Sequence, residues 1–353
     1  MVFHAKAMQW GKDIGLKWPI IQAPMAGGIT TPNLVAAVSN SGGLGSLGAG
    51  YMTPSQIEQA IHEIRTLTTN PFAVNLFIPE PHTGTEETIK AAQAAICESC
   101  PELEFDINEV APPYVPSFEQ QMEVVLQERV GYFSFTFGIP DSKWLDRLRE
   151  RDVYIMGTAT TTTEAQLLAD KKVDAIIAQG KEAGGHRGSF LQNGEQDLLE
   201  LSAFITLLAK SLTTPIVAAG GIMNGERIGS MLSLGASGVQ LGTAFLTCPE
   251  SGAHPMYKKL LLAQTADNTV LTRAFSGKRA RGLKNKFIER MAATGITIAD
   301  YPIQNALTRP MRTAANKDNN TDFMSLWAGQ SAHSCRELPA KELVQILMEE
   351  AHI

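Results

Sequence analysis

The sequence has no run approaching the ~20 apolar residues that a helix needs to cross a bilayer. Its first twenty residues, MVFHAKAMQWGKDIGLKWPI, also lack the continuous apolar stretch of a secretory leader. Residence in the cytoplasm with no membrane partner is the expectation. Cysteine is scarce: Cys97, Cys100, Cys248 and Cys335 are the whole set, and the one C-x-x-C pair has neither a second pair nor a histidine cluster to complete a zinc site. No metal is therefore expected, and Cys97 and Cys100 read as reduced thiols near a helix end. Positive charge is short as well, with 30 Lys and Arg against 36 Asp and Glu and a formal charge of -6. That balance excludes the broad basic surface on which duplex nucleic acid binding depends. One basic run, SGKRARGLKNK, departs from it. A run this short reads as a solvated loop, and the alternative is local attraction of an anionic small molecule or phosphate. No Walker A, H-E-x-x-H or G-x-S-x-G pattern occurs.

What is present is an alternation of short strand-like runs and longer amphipathic stretches, the pattern of βαβ units and a parallel sheet. Residues 19–23, 44–47, 72–77, 131–137, 153–156, 175–178, 216–219 and 238–241 give eight candidate strands. Helices are expected at 32–39, 54–67, 164–170, 198–210 and 226–234, the first entered through Thr30 and Thr31 as N-caps. Eight parallel strands imply closure into a (β/α)8 TIM barrel with a mostly helical appendage, and 353 residues suffice for both. Residues 1–250 are expected to form the barrel, with a Pro-, Glu- and Ala-rich insertion around 79–116 that contains extra helices. Residues 251–325 are expected to form the helical cap, and 326–353 a C-terminal helix that packs back on the barrel.

In such a barrel the loops after the strands share one face, and reactive groups sit there. After the sixth strand comes AQGKEAGGHRG, which places Gln179, Gly184, Gly185, His186 and Arg187 on that face. The glycines let backbone approach a ligand, and an imidazole there could act as a general base or a hydrogen-bond donor near pH 7. After the seventh strand comes AAGGIMNGERIGS, with Gly220 and Gly221 just ahead of a helix that begins around Asn224 and offers its unpaired N–H groups. After the eighth comes QLGTAF, with Gly242 and Thr243. Loops seven and eight of a barrel often hold a phosphate together; tight turns that pack helix on strand would use the same glycines. Ala23, Pro24 and Met25 at the end of the first strand offer small apolar surfaces for an aromatic ring, or for the core. Asn75 interrupts an apolar third strand, and its amide needs partners on both sides. Gly43, Gly45 and Gly48 match G-x-G-x-x-G, but the match follows a helix and enters a strand, the reverse of the dinucleotide arrangement.

Taken together, IIQAPMAGG, AVSNSGGLGS, NPFAVNLF, AQGKEAGGHRG, PIVAAGGIMNG and VQLGTAFLTCPES resemble nitronate monooxygenase, formerly called 2-nitropropane dioxygenase. The resemblance extends to SGKRARGLKN and LWAGQSA and covers almost the whole chain. It implies FMN, oxidative denitrification of alkyl nitronates such as propionate 3-nitronate with molecular oxygen, no need of reduced nicotinamide, and a monomer or homodimer. It places Ala23, Pro24 and Met25 against the isoalloxazine, Asn75 and Gln179 on its polar atoms, and Gly184 and Gly185 along it. Gly220, Gly221, Gly242 and Thr243 would hold the phosphate, and Gln240 joins the cofactor contacts. His186 matches the active-site histidine of the family, as a base or as the group that orients an anionic substrate, with Tyr301 and Arg309 beside it. One departure lies in YPIQNALTRP, where close relatives have a tyrosine and a lysine and this chain has Asn305 and Arg309. Arg309 keeps a positive charge that could grip a carboxylate through two parallel hydrogen bonds. Two other functions share these features: an FMN-dependent enoyl-acyl carrier protein reductase or NADH:quinone reductase, and a flavin- or phosphate-binding protein without turnover.

Overall fold

Helix starts along the chain follow local chemistry. Thr31 and Thr53 cap the helices Pro32–Asn40 and Pro54–Leu67, each accepting from the amide three residues on, and a proline fills the first turn, where no amide partner is lost. Thr161 does the same for Thr162–Asp170 and Asn224 for Gly225–Ser233. The computed structural model of the chain describes residues 2–80, 84–108, 110–191 and 198–352. Residues 81–83 and 109 of the expected insertion lie outside the described residues.

The strands, in chain order, are β1 (Ile20–Gln22), β2 (Gly45–Gly48), β3 (Phe72–Phe77), β4 (Tyr132–Thr136), β5 (Tyr154–Ala159), β6 (Ala175–Gln179), β7 (Gly185–His186), β8 (Ile216–Ala219), β9 (Gly238–Leu241), β10 (Thr269–Thr272) and β11 (Ala280–Leu283). Eight of them form one parallel sheet in the order β1-β9-β8-β6-β5-β4-β3-β2. Its two edges meet: Ile21 bridges Leu44, Leu44 N donates to Ile20 O at 2.9 Å, and Gln22 N donates to Leu44 O at 3.0 Å. The sheet is thus a (β/α)8 barrel, as the alternation predicts. At the N-terminal ends of the strands the barrel is closed by Trp10, Ile14 and Leu16, which pack on Ile21, Met156, Ile177 and Val217. Trp10 Nε1 reaches Tyr154 Oη at 3.0 Å and Tyr132 Oη donates to Ile14 O at 2.5 Å. With that end plugged, the opposite end, where the loops gather, is the open one.

Of the fingerprint glycines, Gly43 lies between the helix Pro32–Asn40 and β2, and Gly45 and Gly48 are the first and last residues of β2; they serve packing, since a Cβ on Gly45 would stand 2.1 Å from Val35 O. The long β3–β4 connection holds the two helices Glu86–Ser99 and Phe118–Gln127. Cys97 lies in the last turn of the first, and Cys100 follows it with its thiol on Ile96 O at 2.7 Å. The last helix, Ala340–Glu350, buries Ala340, Leu343, Val344, Leu347 and Met348 at helical spacing between Pro32–Asn40 and Gly225–Ser233. Full burial of each larger side chain contributes roughly 1.5–3 kcal/mol. No helix among the described residues is long and apolar enough to cross a membrane.

The stretch after the barrel differs from the expectation in one respect. It has the helices Pro255–Leu262, Lys286–Ala293, Ile303–Leu307 and Arg309–Lys317, but also an antiparallel ribbon of β10 and β11. The ribbon is extended by β7, which pairs Gly185 with Arg281 and His186 with Ala280. Such pairing joins residues nearly a hundred positions apart and leaves no periodicity in so short a segment. It also corrects the solvated-loop reading of the basic run. Ala280–Leu283 is buried throughout, because the Arg281 guanidinium finds Lys181 O at 3.1 Å and Thr269 Oγ1 at 3.2 Å in place of water.

Candidate functional site

The C-terminal ends of the barrel strands open into a cavity of about 560 Å³, well within the range of small-molecule sites, roughly 300–1,000 Å³. Ala23, Pro24 and Met25 after β1, Asn75 on β3, Gln179 at the end of β6, Gly184, Gly185 and His186, then Gly220, Gly221, Gln240, Gly242 and Thr243 all line it. Residues singled out in five separate segments of the sequence therefore come together around one cavity. The two residues expected to contact the substrate beside His186 fall elsewhere. Tyr301 lies behind the wall, its ring 6.4 Å from that of His186, and Arg309 is exposed, with Nη2 3.5 Å from Tyr114 O.

One end of the cavity is built from backbone. Gly220 and Gly221 take φ of +124° and +65°, conformations that L side chains rarely adopt. The N–H groups of Gly221, Ile222, Gly242 and Thr243 donate to no acceptor among the described residues. Thr243 Oγ1 accepts from Gly329 N at 3.0 Å, which leaves the hydroxyl proton free. The helix that follows contributes less than expected. Asn224 caps it, and Glu350 Oε2 of the last helix takes Gly225 N at 2.9 Å, so these groups are already satisfied; the open donors belong to the turn before it.

The glycines beside this cradle test its fit to a flat cofactor. Gly185, at φ +73°, has open space where a Cβ would be, with no atom within 4 Å; a side chain there would project into the cavity. A Cβ on Gly184 would stand 2.4 Å from Gly329 N, and one on Gly242 would stand 3.4 Å from Ala23 Cβ. Gln240 makes no side-chain hydrogen bond among the described residues and keeps its amide for a ligand. Unpaired amides for a phosphate and a glycine-lined slot for a ring are the features an FMN would require, and the residues present fit it.

The other end is built from side chains. His186 Nε2 lies 2.8 Å from Ser276 Oγ, which in turn lies 3.1 Å from Lys278 O. Enclosure pushes the His186 pKa down to about 3, with the charges of Lys278 and Arg312 adding to the shift. The ring is neutral near pH 7 as a result. Phe137, Tyr301 and Trp327 surround it at centroid distances of 5.8, 6.4 and 5.4 Å. Phe137 takes φ +77°, an uncommon conformation for a bulky residue that costs on the order of 1–2 kcal/mol. The Lys278 Nζ stands 4.6 Å above its ring and bonds both oxygens of Glu80 at 2.7 and 2.8 Å.

The loop that carries His186 is fixed from below. Gln179 Nε2 donates to His186 O at 2.9 Å and its Oε1 accepts from Gly188 N at 2.8 Å, so this amide holds the loop as well as lining the cavity. Arg187 turns away from the open face and is buried, with Nη1 on Gly180 O at 2.6 Å. The buried Glu164 carboxylate accepts from Thr160 N and Oγ1 and from Phe190 N and Leu191 N. Asn75 Nδ2 donates to Ser134 Oγ at 2.9 Å. Sequence reasoning missed Tyr51, Glu80, Phe137, Glu164, Ser276, Arg312 and Trp327. Of these, Ser276 lies in the basic run, Trp327 in LWAGQSA and Glu80 in the expected insertion, all stretches already marked, though the residues themselves were not singled out.

Comparison with known proteins gives consistent matches. A family model described as nitronate monooxygenase matches residues 11–350. A "Probable nitronate monooxygenase" of Bacillus subtilis is 42% identical over 342 residues, 96% of this chain and 97% of that protein. The crystal structure of a nitroalkane oxidase from Streptomyces ansochromogenes superposes with a TM-score of 0.89 at 38% identity, over 97% of this chain and 98% of the other. FabK from Thermotoga maritima is more distant, with a TM-score of 0.76 at 27% identity over 97% and 95%.

Proposed function

Because the chain belongs to the nitronate monooxygenase family of flavin-dependent oxidoreductases, we propose that it binds FMN in this cavity and uses molecular oxygen to denitrify alkyl nitronates. The observation that carries the proposal is the juxtaposition, in one cavity, of four amides without an acceptor among the described residues and an imidazole enclosed by aromatic rings. Gly221, Ile222, Gly242 and Thr243 would hold the phosphate. Ala23, Pro24, Met25, Gly184 and Gly185 would flank the ring, and Asn75, Gln179 and Gln240 would serve its polar edge. The chemistry a bound flavin supplies is electron transfer from the nitronate to oxygen.

The protein's share is orientation. A histidine with a pKa of about 3 is a weak base toward a neutral nitroalkane, but in its neutral form it donates one hydrogen bond and accepts another. We therefore assign His186 to holding a nitronate that arrives already ionised, with Ser276 fixing the ring. Arg309, expected beside the substrate, has no part in this assignment, because its side chain is on the outer surface.

The test is anaerobic mixing of the purified yellow protein with ethyl nitronate, with nitroethane at the same pH, and with NADH. Bleaching by the nitronate, much slower bleaching by the nitroalkane and none by NADH are expected. Bleaching by NADH alone would favour an enoyl reductase instead, the second reading that the likeness to FabK keeps open.

A further inference from the structure

Residues 326–331 run as a strap from the ribbon to the turns after β8 and β9. At its start Trp327 bridges Gly282 of β11, and Leu283 N donates to Leu326 O at 2.8 Å. At its end Gly329 N donates to Thr243 Oγ1 at 3.0 Å and Gln330 N to Glu182 O at 3.0 Å. The approach there leaves no room for a side chain, since a Cβ on Gly329 would stand 2.7 Å from Glu182 O. The alternate residues Trp327, Gly329 and Ser331 line the cavity. Trp327 lies beside the His186 ring, and Ser331 lies at the turn of Gly220 and Gly221.

Ser331 occupies a position where a serine commonly serves its own backbone. It precedes the short helical turn Ala332–Ser334, yet its side chain caps nothing. Its hydroxyl makes no hydrogen bond among the described residues, and neither does its N–H. The Oγ is 3.6 Å from the position a Cβ on Gly221 would take, beside the turn whose amides at Gly221 and Ile222 are open. Glu182 packs on the same turn, but both of its oxygens accept from Leu201 N at 3.1 Å and neither meets the serine.

The four open amides and the Thr243 hydroxyl all belong to the barrel turns. The terminal oxygens of a phosphomonoester can accept more hydrogen bonds than these five. We infer that Ser331 is a further phosphate-binding residue, delivered by the strap, and that the C-terminal segment thereby takes part in retaining the cofactor. This rests on the FMN reading above. The hydroxyl acts on the phosphate, so its loss should be felt by FMN and not by riboflavin, which has the same ring and ribityl chain without the phosphate. A serine that only shaped the strap would affect both flavins alike.

Fluorescence-quenching titration of the full-length protein, freed of flavin, with FMN and with riboflavin tests the assignment without turnover. In Ser331→Ala the Kd for FMN should rise about tenfold or more, the scale of one hydrogen bond to a charged group, with that for riboflavin unchanged. Ser331→Thr keeps the hydroxyl and should bind FMN as the unaltered protein does. In Ser331→Asp a carboxylate meets the phosphate, and FMN should weaken further, by about 100-fold, again with riboflavin unchanged. An FMN affinity unaltered in Ser331→Ala would overturn the assignment, and so would an equal loss of both flavins. Should Ser331→Ala not fold, equal effects of Ser331→Asp on the two flavins have the same force. Failure of the FMN reading looks different: the unaltered protein would bind FMN no more tightly than riboflavin.

Discussion

The two ends of the cavity are made of different material. At the β8–β9 end the working groups are main-chain amides in glycine turns, and no charged side chain of the barrel is needed. At the His186 end they are side chains: an imidazole, a serine, a lysine with its glutamate, and a lone guanidinium. Most of these come from the insertion and the segment after the barrel, and they reach the site through β11 and the helix Arg309–Lys317. The contrast separates holding from selecting. A barrel strand fixes where its next amide will be, so the amides proposed to hold a phosphate are placed by the scaffold alone. Selectivity and proton positions depend on residues that other parts of the chain must deliver.

The glycine-lined wall beside the amide cradle should be more fragile to a single methyl group than the side-chain cluster is. In Gly184→Ala the new Cβ meets main chain, 2.4 Å from Gly329 N and 2.5 Å from Ala328 C, so no rotamer can relieve it. Overpacking of this kind costs about 1–3 kcal/mol, which corresponds to a loss of flavin affinity on the order of 10- to 100-fold. Flavin retained per protein after gel filtration, with Tm alongside, measures it. A variant that stays fully yellow would show that the 183–186 loop is no part of the cofactor wall.

That division also explains what could be read in advance. β3, β8, β9 and the helix Pro54–Leu67 agree with their expected limits to the residue, because each combines strong periodicity with local stop signals such as Thr53-Pro54 or Gly220-Gly221. The glycine loops could be read for the same reason: a residue type demanded by the backbone stays visible in one sequence. Ser276 carried no such mark, because its role comes from His186, 90 positions away in the chain. Arg309 shows the limit most clearly. Nothing local distinguishes it from Arg312 until helix geometry turns one inward and leaves the other in solvent.

Ser276→Ala should have a smaller effect than loss of the cofactor wall, and it should be confined to the side-chain end. The variant loses the 2.8 Å contact with His186 Nε2 and leaves in place every amide proposed to hold the phosphate. With a hydrogen bond of about 0.5–1.5 kcal/mol at stake, kcat for a nitronate should fall roughly two- to tenfold at unchanged flavin content. Ser276→Thr, which keeps the hydroxyl, should recover most of it. A fall in flavin content equal to that of the glycine variant would erase the distinction between the two ends.

The smallest effect expected is on stability against pH, and its sign follows from His186. The folded protein holds this imidazole at a pKa of about 3, against 6.5 for the unperturbed group. Between those values the unfolded chain binds a proton that the folded chain does not, so folding loses stability as pH falls from about 6.5 toward about 3 and has this contribution in full above that window. Burial does most to keep the ring neutral, and the charges of Lys278 and Arg312 add to it; Glu80 pairs with the first of these cations. Replacing His186 by Asn removes the titrating group, so the drop in Tm between pH 7 and pH 5 should be shallower in the variant, by roughly a few degrees for each kcal/mol in a domain of this size. Lys278→Met should act in the same direction more weakly, because a less repelled imidazole retains its proton to a higher pH. A steeper drop in His186→Asn would mean that the histidine is charged in the folded protein, and the site would then hold a general acid where the geometry places a neutral donor.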